Sequence, residues 1–259
     1  MSVNEKMTAI ADAIRAKTGG TDALSLDGMA AEIPDVYAAG QQSEYDAFWD
    51  AYQDNGNRTD YEAAFSGTGW TSKNFKPKYD MAIGRGYTMF TRNTVITNTE
   101  DMPNNVKLDM SNMTSASYIF AESSIEHIGT ISSTNSYYSA FVNCYRLVTI
   151  EKLIIPDTIS SSSSYWKEAF DNAKKLESLT IEGTIERNGF NVRWSPLSHD
   201  SLISIVNALS ADTTGLTVTL SKSSVNKAFE TSVGAADGST SDEWATLIAT
   251  KPNWTFTLA

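Results

Sequence analysis

A phenylalanine-centred motif recurs along the middle of this 259-residue chain and limits how it can fold. The intervals between Phe90, Phe120, Phe141 and Phe170 are 30, 21 and 29 residues. Intervals of this size are typical of structural units that stack on one another. One such unit cannot bury its own apolar residues, so we expect each unit to cover the next.

The two best-matching units read AFVNCYRLVTI from Ala140 and AFDNAKKLESL from Ala169. In both, Asn follows Phe by two residues, and a small residue, Cys144 or Ala173, comes next. Leucine then follows the Phe at plus six and an apolar residue at plus nine. The Ala-Phe end suits a short helical turn, and the Leu segment suits a short strand that faces the same core. The pattern therefore predicts one continuous hydrophobic column.

Helices are predicted for residues 1–40, which we interpret as an attachment or oligomerisation segment. The first helix covers residues 3–17, and LSLDGMAAEIP supplies a second at 24–34. The apolar stripe of the first helix consists of Val3, Met7, Ile10 and Ile14. Such a stripe fits the seam of a short coiled coil. The helix could form a trimer, dock on another protein or pack within the chain, and these alternatives stay open.

The rest of the chain divides into three further predicted segments. Residues 41–87 predict an aromatic helix at 43–53 and an irregular, packed connector. Residues 88–195 hold the degenerate repeats. Residues 196–259 predict a helix with Ser198 at its cap, then helices and strands that cover the end of the repeats.

The repeats resemble the degenerate leucine-rich repeats of the BspA-like family. The residues that carry the resemblance are AFxNCxxLxxI at 140–150 and AFxNAxxLxxL at 169–179, with the proline-containing LIIP at 153–156. The resemblance covers roughly residues 88–185. It implies an α+β fold: a short BspA-like leucine-rich-repeat solenoid with an N-terminal helical segment and a C-terminal α/β cap.

The front of the chain resembles tail or virion-associated proteins of phages and prophages from Gram-positive gut bacteria. The matching text is MTAIADAIRAKTGGTDALSLDGMAAEI and YDAFWDAYQDNGNRTDYEAAFSGTGW. The resemblance implies a non-enzymatic virion protein that is assembled in the cytoplasm and released by lysis. Its N-terminal helices would contact other tail proteins, and its repeats would bind a host cell-surface protein or glycan. Two alternatives stay open, a virion-associated cell-wall glycan hydrolase and a BspA-like surface adhesin.

Charge and composition disfavour several classes of partner. The net charge is −11, with 20 basic against 31 acidic residues and no basic run. Phosphate binding requires lysine and arginine, so we expect no nucleic-acid partner. No apolar run is long enough to predict membrane insertion, and the first residues lack the apolar core of a secretory signal. The single cysteine, Cys144, excludes a disulfide within the chain.

Candidate binding residues lie in or beside the loops between units. Aromatic rings stack on sugar faces and anchor protein interfaces, although half or more of these rings would alternatively pack beneath the loops. The acidic candidates follow the repeat spacing and include the carboxylates that a hydrolase would need. The predicted set is Tyr137, Tyr138, Tyr145, Tyr165, Trp166, Trp194, Glu126, His127, Glu151 and Glu182.

No catalytic residue, metal site or cofactor is predicted. His199, Asp200 and Ser201 are adjacent at the start of a predicted helix, where capping is favoured over a catalytic triad. Two histidines and one cysteine are too few to indicate a transition-metal cluster. The acidic stretch from Asp50 to Asp60 has no glycine in the register of a calcium-binding loop, so it predicts a solvated turn.

Overall fold

The computed structural model describes residues 3–18, 46–72, 75–230 and 241–259. The chain divides into two compact units, Met1–Gly56 and Asn57–Ala259. The helix predicted at 24–34 lies outside the described residues. The finer boundaries after residues 40, 87 and 195 stay predictions.

The first unit contains two described helices. Helix α1 spans Val3–Thr18, which confirms the helix predicted from the apolar stripe. Within that stripe Ile14 is buried and Ile10 is half exposed, and the side chains of Val3 and Met7 lie outside the described residues. Helix α2 is described over residues 46–52, with Trp49 buried.

A five-stranded sheet forms most of the second unit. Its strands are β1 (Met81–Ala82), β2 (Leu108–Met113), β3 (His127–Ser133), β4 (Thr149–Ile154) and β5 (Ser178–Glu182). They lie side by side in chain order, and every pair is parallel. Ile150 of β4 aligns with Ile128 of β3 and Leu179 of β5, and all three are buried. The strands therefore present one apolar face to the core.

The crossovers between these strands contain a second set of stacked backbone segments, which we call the turn ladder. Its segments are residues 61–67, 86–92, 116–122, 137–143 and 165–171. Each segment donates backbone N–H groups to carbonyl oxygens of the next. Examples are Thr88 N to Ser117 O, 3.0 Å, and Ser139 N to Lys167 O, 3.0 Å. The ladder satisfies polar backbone groups that irregular segments otherwise leave to water.

Phenylalanine rings stack beneath the turn ladder in a single buried column. Successive ring centroids lie 5.5, 5.3, 6.4, 5.3 and 5.5 Å apart. The members are Phe65, Phe90, Phe120, Phe141, Phe170 and Phe190. The predicted column is confirmed, and it extends at both ends to residues that the sequence pattern did not include. Each ring pair contributes about 1 kcal/mol beyond simple burial.

Left-handed backbone recurs two residues before and two residues after these phenylalanines. Before Phe90 and Phe120 it occurs at Thr88 (φ 53°) and Tyr118 (φ 57°). After Phe141 and Phe170 it occurs at Asn143 (φ 57°) and Asn172 (φ 62°), and asparagine tolerates this conformation best among non-glycine residues. The asparagine of the AFxN motif is therefore explained by backbone geometry.

The C-terminal elements form a second parallel sheet with strand order β6-β7-β8. Its strands are β6 (Phe190–Asn191), β7 (Leu216–Leu220) and β8 (Trp254–Leu258). Its helices are α3 (His199–Ala208), α4 (Lys222–Ala228) and α5 (Asp242–Ala249), with serine at each N-cap. The predicted cap at Ser198 is confirmed, because its side chain accepts a hydrogen bond from the Ser201 N–H.

Helix α3 also covers the edge of β5 through serine side chains. The Ser201 and Ser204 hydroxyl oxygens accept hydrogen bonds from the Leu179 and Ile181 N–H groups, both at 2.9 Å. Exposed strand edges pair readily with other chains, so this cover prevents edge-to-edge association.

The predicted fold class, an α+β leucine-rich-repeat solenoid with a cap, is wrong. The described residues form two parallel sheets and five helices, an α/β-like fold. The prediction treated the segment after residue 195 as a cover, whereas β7 and β8 build their own sheet with β6. Parallel strands require long crossovers, which here are the turn-ladder segments and their flanks. No helix among the described residues is long and apolar enough to cross a membrane.

Candidate binding surface

Two of the predicted binding tyrosines belong to the core. Tyr137 and Tyr165 are fully buried. The Tyr137 hydroxyl donates to the carbonyl oxygens of Ile131 (3.2 Å) and Ile154 (3.1 Å), and Tyr165 donates to that of Ser133 (2.5 Å). Burial raises the pKa of both phenols. Assigning them to an exposed surface was wrong, because their hydroxyls satisfy carbonyl groups at the ends of strands.

Trp166 is also a core residue rather than a surface residue. Its ring stacks on Tyr137 at 5.1 Å and meets Phe190 edge-on at 5.0 Å. The indole is buried and packs between Tyr137 and Phe190. The prediction that it contacts a ligand is therefore wrong.

The predicted acidic residues contact basic side chains on the exposed side of the sheet. The pairs are Glu126 with Arg146, His127 with Glu151 (3.1 Å), and Lys152 with Glu182 (2.8 Å). Exposed pairs of this kind contribute little to stability. A glycosidase general acid instead requires an apolar setting that keeps it protonated.

Three partly exposed tyrosines form a row, one in the first half of each of three adjacent turn-ladder segments. The ring centroids of Tyr87 and Tyr118 are 6.1 Å apart, and those of Tyr118 and Tyr138 are 5.1 Å apart. Both contacts are edge-to-face, at 82° and 83°. The ammonium group of Lys167 lies 5.6 Å from the centre of the Tyr138 ring and ends the series. We call Tyr87, Tyr118, Tyr138 and Lys167 the tyrosine row.

The turn ladder fixes the spacing of the tyrosine row. The Tyr118 N–H donates to the Tyr138 carbonyl oxygen at 3.0 Å, so adjacent turns hold adjacent rings. Tyr87 is 36% exposed, and Tyr118 and Tyr138 are half-buried. Hydrogen bonding with Tyr138 and then burial raise the pKa of the Tyr118 phenol, which therefore stays uncharged at neutral pH. The row offers ring surface together with phenol hydroxyl groups.

Sequence analysis identified Tyr138 but missed Tyr87 and Tyr118. The three tyrosines precede a column phenylalanine by three, two and three residues. Alignment of the units on their phenylalanines would have placed Tyr87 and Tyr138 at one position and Tyr118 one residue away. This alignment was missed because the aromatic candidates were selected by their position in loops.

A second exposed group surrounds Trp194. The Arg193 guanidinium carbon and the Lys174 ammonium nitrogen lie 5.0 and 5.5 Å from the centre of the Trp194 ring. Trp194 is 44% exposed and Tyr145 is 53% exposed, as predicted for surface aromatics. Tyr145, Lys174 and Trp194 each follow a column phenylalanine by four residues. We call Lys174, Arg193 and Trp194 the tryptophan cluster.

Asparagine side chains join adjacent turns beside this cluster. The Asn143 side-chain oxygen accepts hydrogen bonds from the Tyr145 hydroxyl at 3.1 Å and from the Asn172 amide at 2.9 Å. Sequence analysis missed Lys174 and Arg193, since neither stands in a basic run.

A cavity of about 610 Å³ opens beside the start of β2. Its lining includes Glu100, Asp101, Lys107 and Asp109. Gly129 leaves room for one of these carboxylates, because a β-carbon there would lie 1.8 Å from the Glu100 Oε1 atom. Among the described residues, no group of three or more His, Cys, Asp or Glu side chains is arranged to hold a metal ion.

Comparison of the chain with protein-family models, with curated proteins and with solved structures finds no match in any of the three.

Proposed function

We propose that this protein is a non-enzymatic, phage or prophage tail-associated protein that binds a host-surface glycan through the tyrosine row. The observation that carries the proposal is the spacing of Tyr87, Tyr118 and Tyr138 on successive turns. The front of the chain, which resembles virion-associated proteins, supports the setting.

The chemistry of the tyrosine row suits a sugar chain. Aromatic rings pack against the apolar faces of sugars, and phenol hydroxyls exchange hydrogen bonds with sugar hydroxyls. Because one ring stands on each of three adjacent turns, the row matches a ligand that is itself a chain of similar units.

The tyrosine row is rigid, which suits binding to a ligand whose shape matches the row. Tyrosine has only two side-chain torsions, and the ladder hydrogen bonds hold the backbone beneath each ring. Little conformational entropy is then lost when a ligand binds. Residues 1–40 would supply the attachment to other tail proteins.

The ion pairs of Glu126, Glu151 and Glu182 argue against the hydrolase alternative. Each carboxylate lies beside a basic side chain at the surface, which is the opposite of the apolar pocket that a general acid needs.

The test of this proposal is binding of purified protein to host cell walls. We expect Tyr118→Ala and Tyr138→Ala each to weaken binding by about 1 kcal/mol, or about fivefold, since each change removes one ring from the row. Tyr138→Phe, which keeps the ring, should lose less.

Tyr79→Ala is the matched control, because Tyr79 is a partly exposed tyrosine outside the row. Equal binding by Tyr118→Ala, Tyr138→Ala and Tyr79→Ala would contradict the proposal.

A further inference from the structure

Several arginines of the second unit are neutralised by carboxylates. Arg85 lies 3.1 Å from Glu62, and Arg92 lies 2.8 Å from Glu122. In a chain with 31 acidic and 20 basic residues, such pairing is the expected state of a surface arginine.

Arg193 and Lys174 differ from these arginines. Within the described part of the chain, neither forms an ion pair, and both are exposed. Both instead lie within 5.5 Å of the centre of the Trp194 ring. Two like charges repel each other, so an attraction to the shared ring favours their placement.

The indole of Trp194 supplies that attraction. A cation over a tryptophan ring gains about 0.5–1 kcal/mol at an exposed site. Two positive groups therefore lie within 5.5 Å of one ring centre, and the ring neutralises neither of them. This arrangement is complementary to an anionic polymer, whose oxygen atoms would accept charge-assisted hydrogen bonds from either cation.

Two neutral donors nearby are already engaged. The Tyr145 hydroxyl and the Asn172 amide both donate to Asn143. Lys174 and Arg193 are the cationic groups of this surface that can meet an anion.

We propose that Arg193 and Lys174, held by Trp194, form a binding site for a phosphate or carboxylate group on a surface polymer. That the polymer is a glycan rests on the proposed function, whereas binding of the anion does not. The site is separate from the tyrosine row and adds a preference for charged over neutral ligands.

The experiment measures binding of the full chain to three polymers at low salt. Polygalacturonate carries carboxylates, its methyl ester is the uncharged counterpart, and inorganic polyphosphate carries phosphates without sugar. The variants are the double change Arg193→Gln with Lys174→Gln, the single change Trp194→Leu, and a control, Lys222→Gln with Lys227→Gln. The control alters net charge equally at two exposed lysines of α4, outside the cluster.

Wild type should bind at least one charged polymer and bind the methyl ester weakly or not at all. The cluster double variant should bind about tenfold or more weakly, since it removes two charge-assisted contacts. Trp194→Leu should also weaken binding, because the cations lose their anchor. The control double variant should stay within about twofold of wild type, the change expected from net charge alone.

The preferred polymer assigns the anion, polygalacturonate indicating carboxylate and polyphosphate indicating phosphate. The proposal is overturned if wild type binds neither charged polymer, or if the two double variants weaken binding equally. The tyrosine-row variants should keep their binding to polyphosphate, so failure of the glycan proposal is distinguishable from failure of the anion site.

Discussion

At the scale of single residues, each position around the column phenylalanines has a separate physical task. The position three residues after Phe141 holds Cys144, which is buried and donates from Sγ to the Phe120 carbonyl oxygen at 2.9 Å. The position two residues before Phe90 holds Thr88, which must adopt left-handed backbone. These two residues give predictions of opposite kinds, one about reactivity and one about stability.

Cys144 should be inert in the folded protein. Burial raises the pKa of its thiol to about 12, so almost no thiolate is present at neutral pH. We expect a thiol reagent at about pH 8 to modify the native protein far more slowly than the unfolded chain. Because Cys144 is the only cysteine, total labelling reports on it directly. Equal labelling rates with and without denaturant would contradict its burial.

Thr88→Gly should stabilise the protein. A β-branched residue at φ 53° is strained, and glycine relieves a cost of about 1 kcal/mol. Thr94→Gly is the control, since Thr94 is exposed and is not among the positive-φ residues. That change should destabilise slightly through the entropy of the unfolded chain. Denaturant unfolding measures both, and a loss of stability in Thr88→Gly would oppose this account.

At the scale of elements, the sequence predicted what local periodicity controls. Helices α1 and α3, the Ser198 cap and the phenylalanine column all follow from spacing along the chain. The sequence did not predict that β7 and β8 join β6 in a parallel sheet, because the residues of one strand do not show which strand it pairs with. Nor did it separate buried Tyr137 from partly exposed Tyr138, which are adjacent residues on opposite sides of one turn segment.

One contact between elements should make stability depend on pH. His199 at the start of α3 lies 2.7 Å from Glu243 in α5, with Asp200 at 3.4 Å and the Phe229 ring at 4.8 Å. The hydrogen bond with Glu243 is the largest cause that raises the pKa of His199. A raised pKa in the folded state means that the stabilisation is fully present below the unfolded value of about 6.5 and is lost as pH rises through the folded pKa.

We therefore expect His199→Gln to lower the free energy of unfolding more at about pH 5.5 than at about pH 8.5. The side chains are largely exposed, so the difference should be small. Chemical denaturation of both proteins at the two pH values checks this. A larger loss of unfolding free energy at about pH 8.5 than at about pH 5.5 would contradict a raised pKa of His199.

At the scale of the whole molecule, two backbone networks support one surface. The five-stranded sheet and the turn ladder hold the backbone of the repeated segments, and the phenylalanine column fills the space beneath the turns. Side chains on such a backbone keep their spacing, which is why the tyrosine row is proposed as a ligand-binding face. The account depends on that face meeting the ligand while the buried tyrosines do not.

The most direct test is an NMR titration of the protein, with its tyrosine rings isotopically labelled, by glycan fragments from the host cell wall. The account predicts that the ring signals of Tyr87, Tyr118 and Tyr138 shift together in a saturable way, while those of buried Tyr137 and Tyr165 stay in place. Saturable binding that leaves the three row signals unchanged would contradict the account.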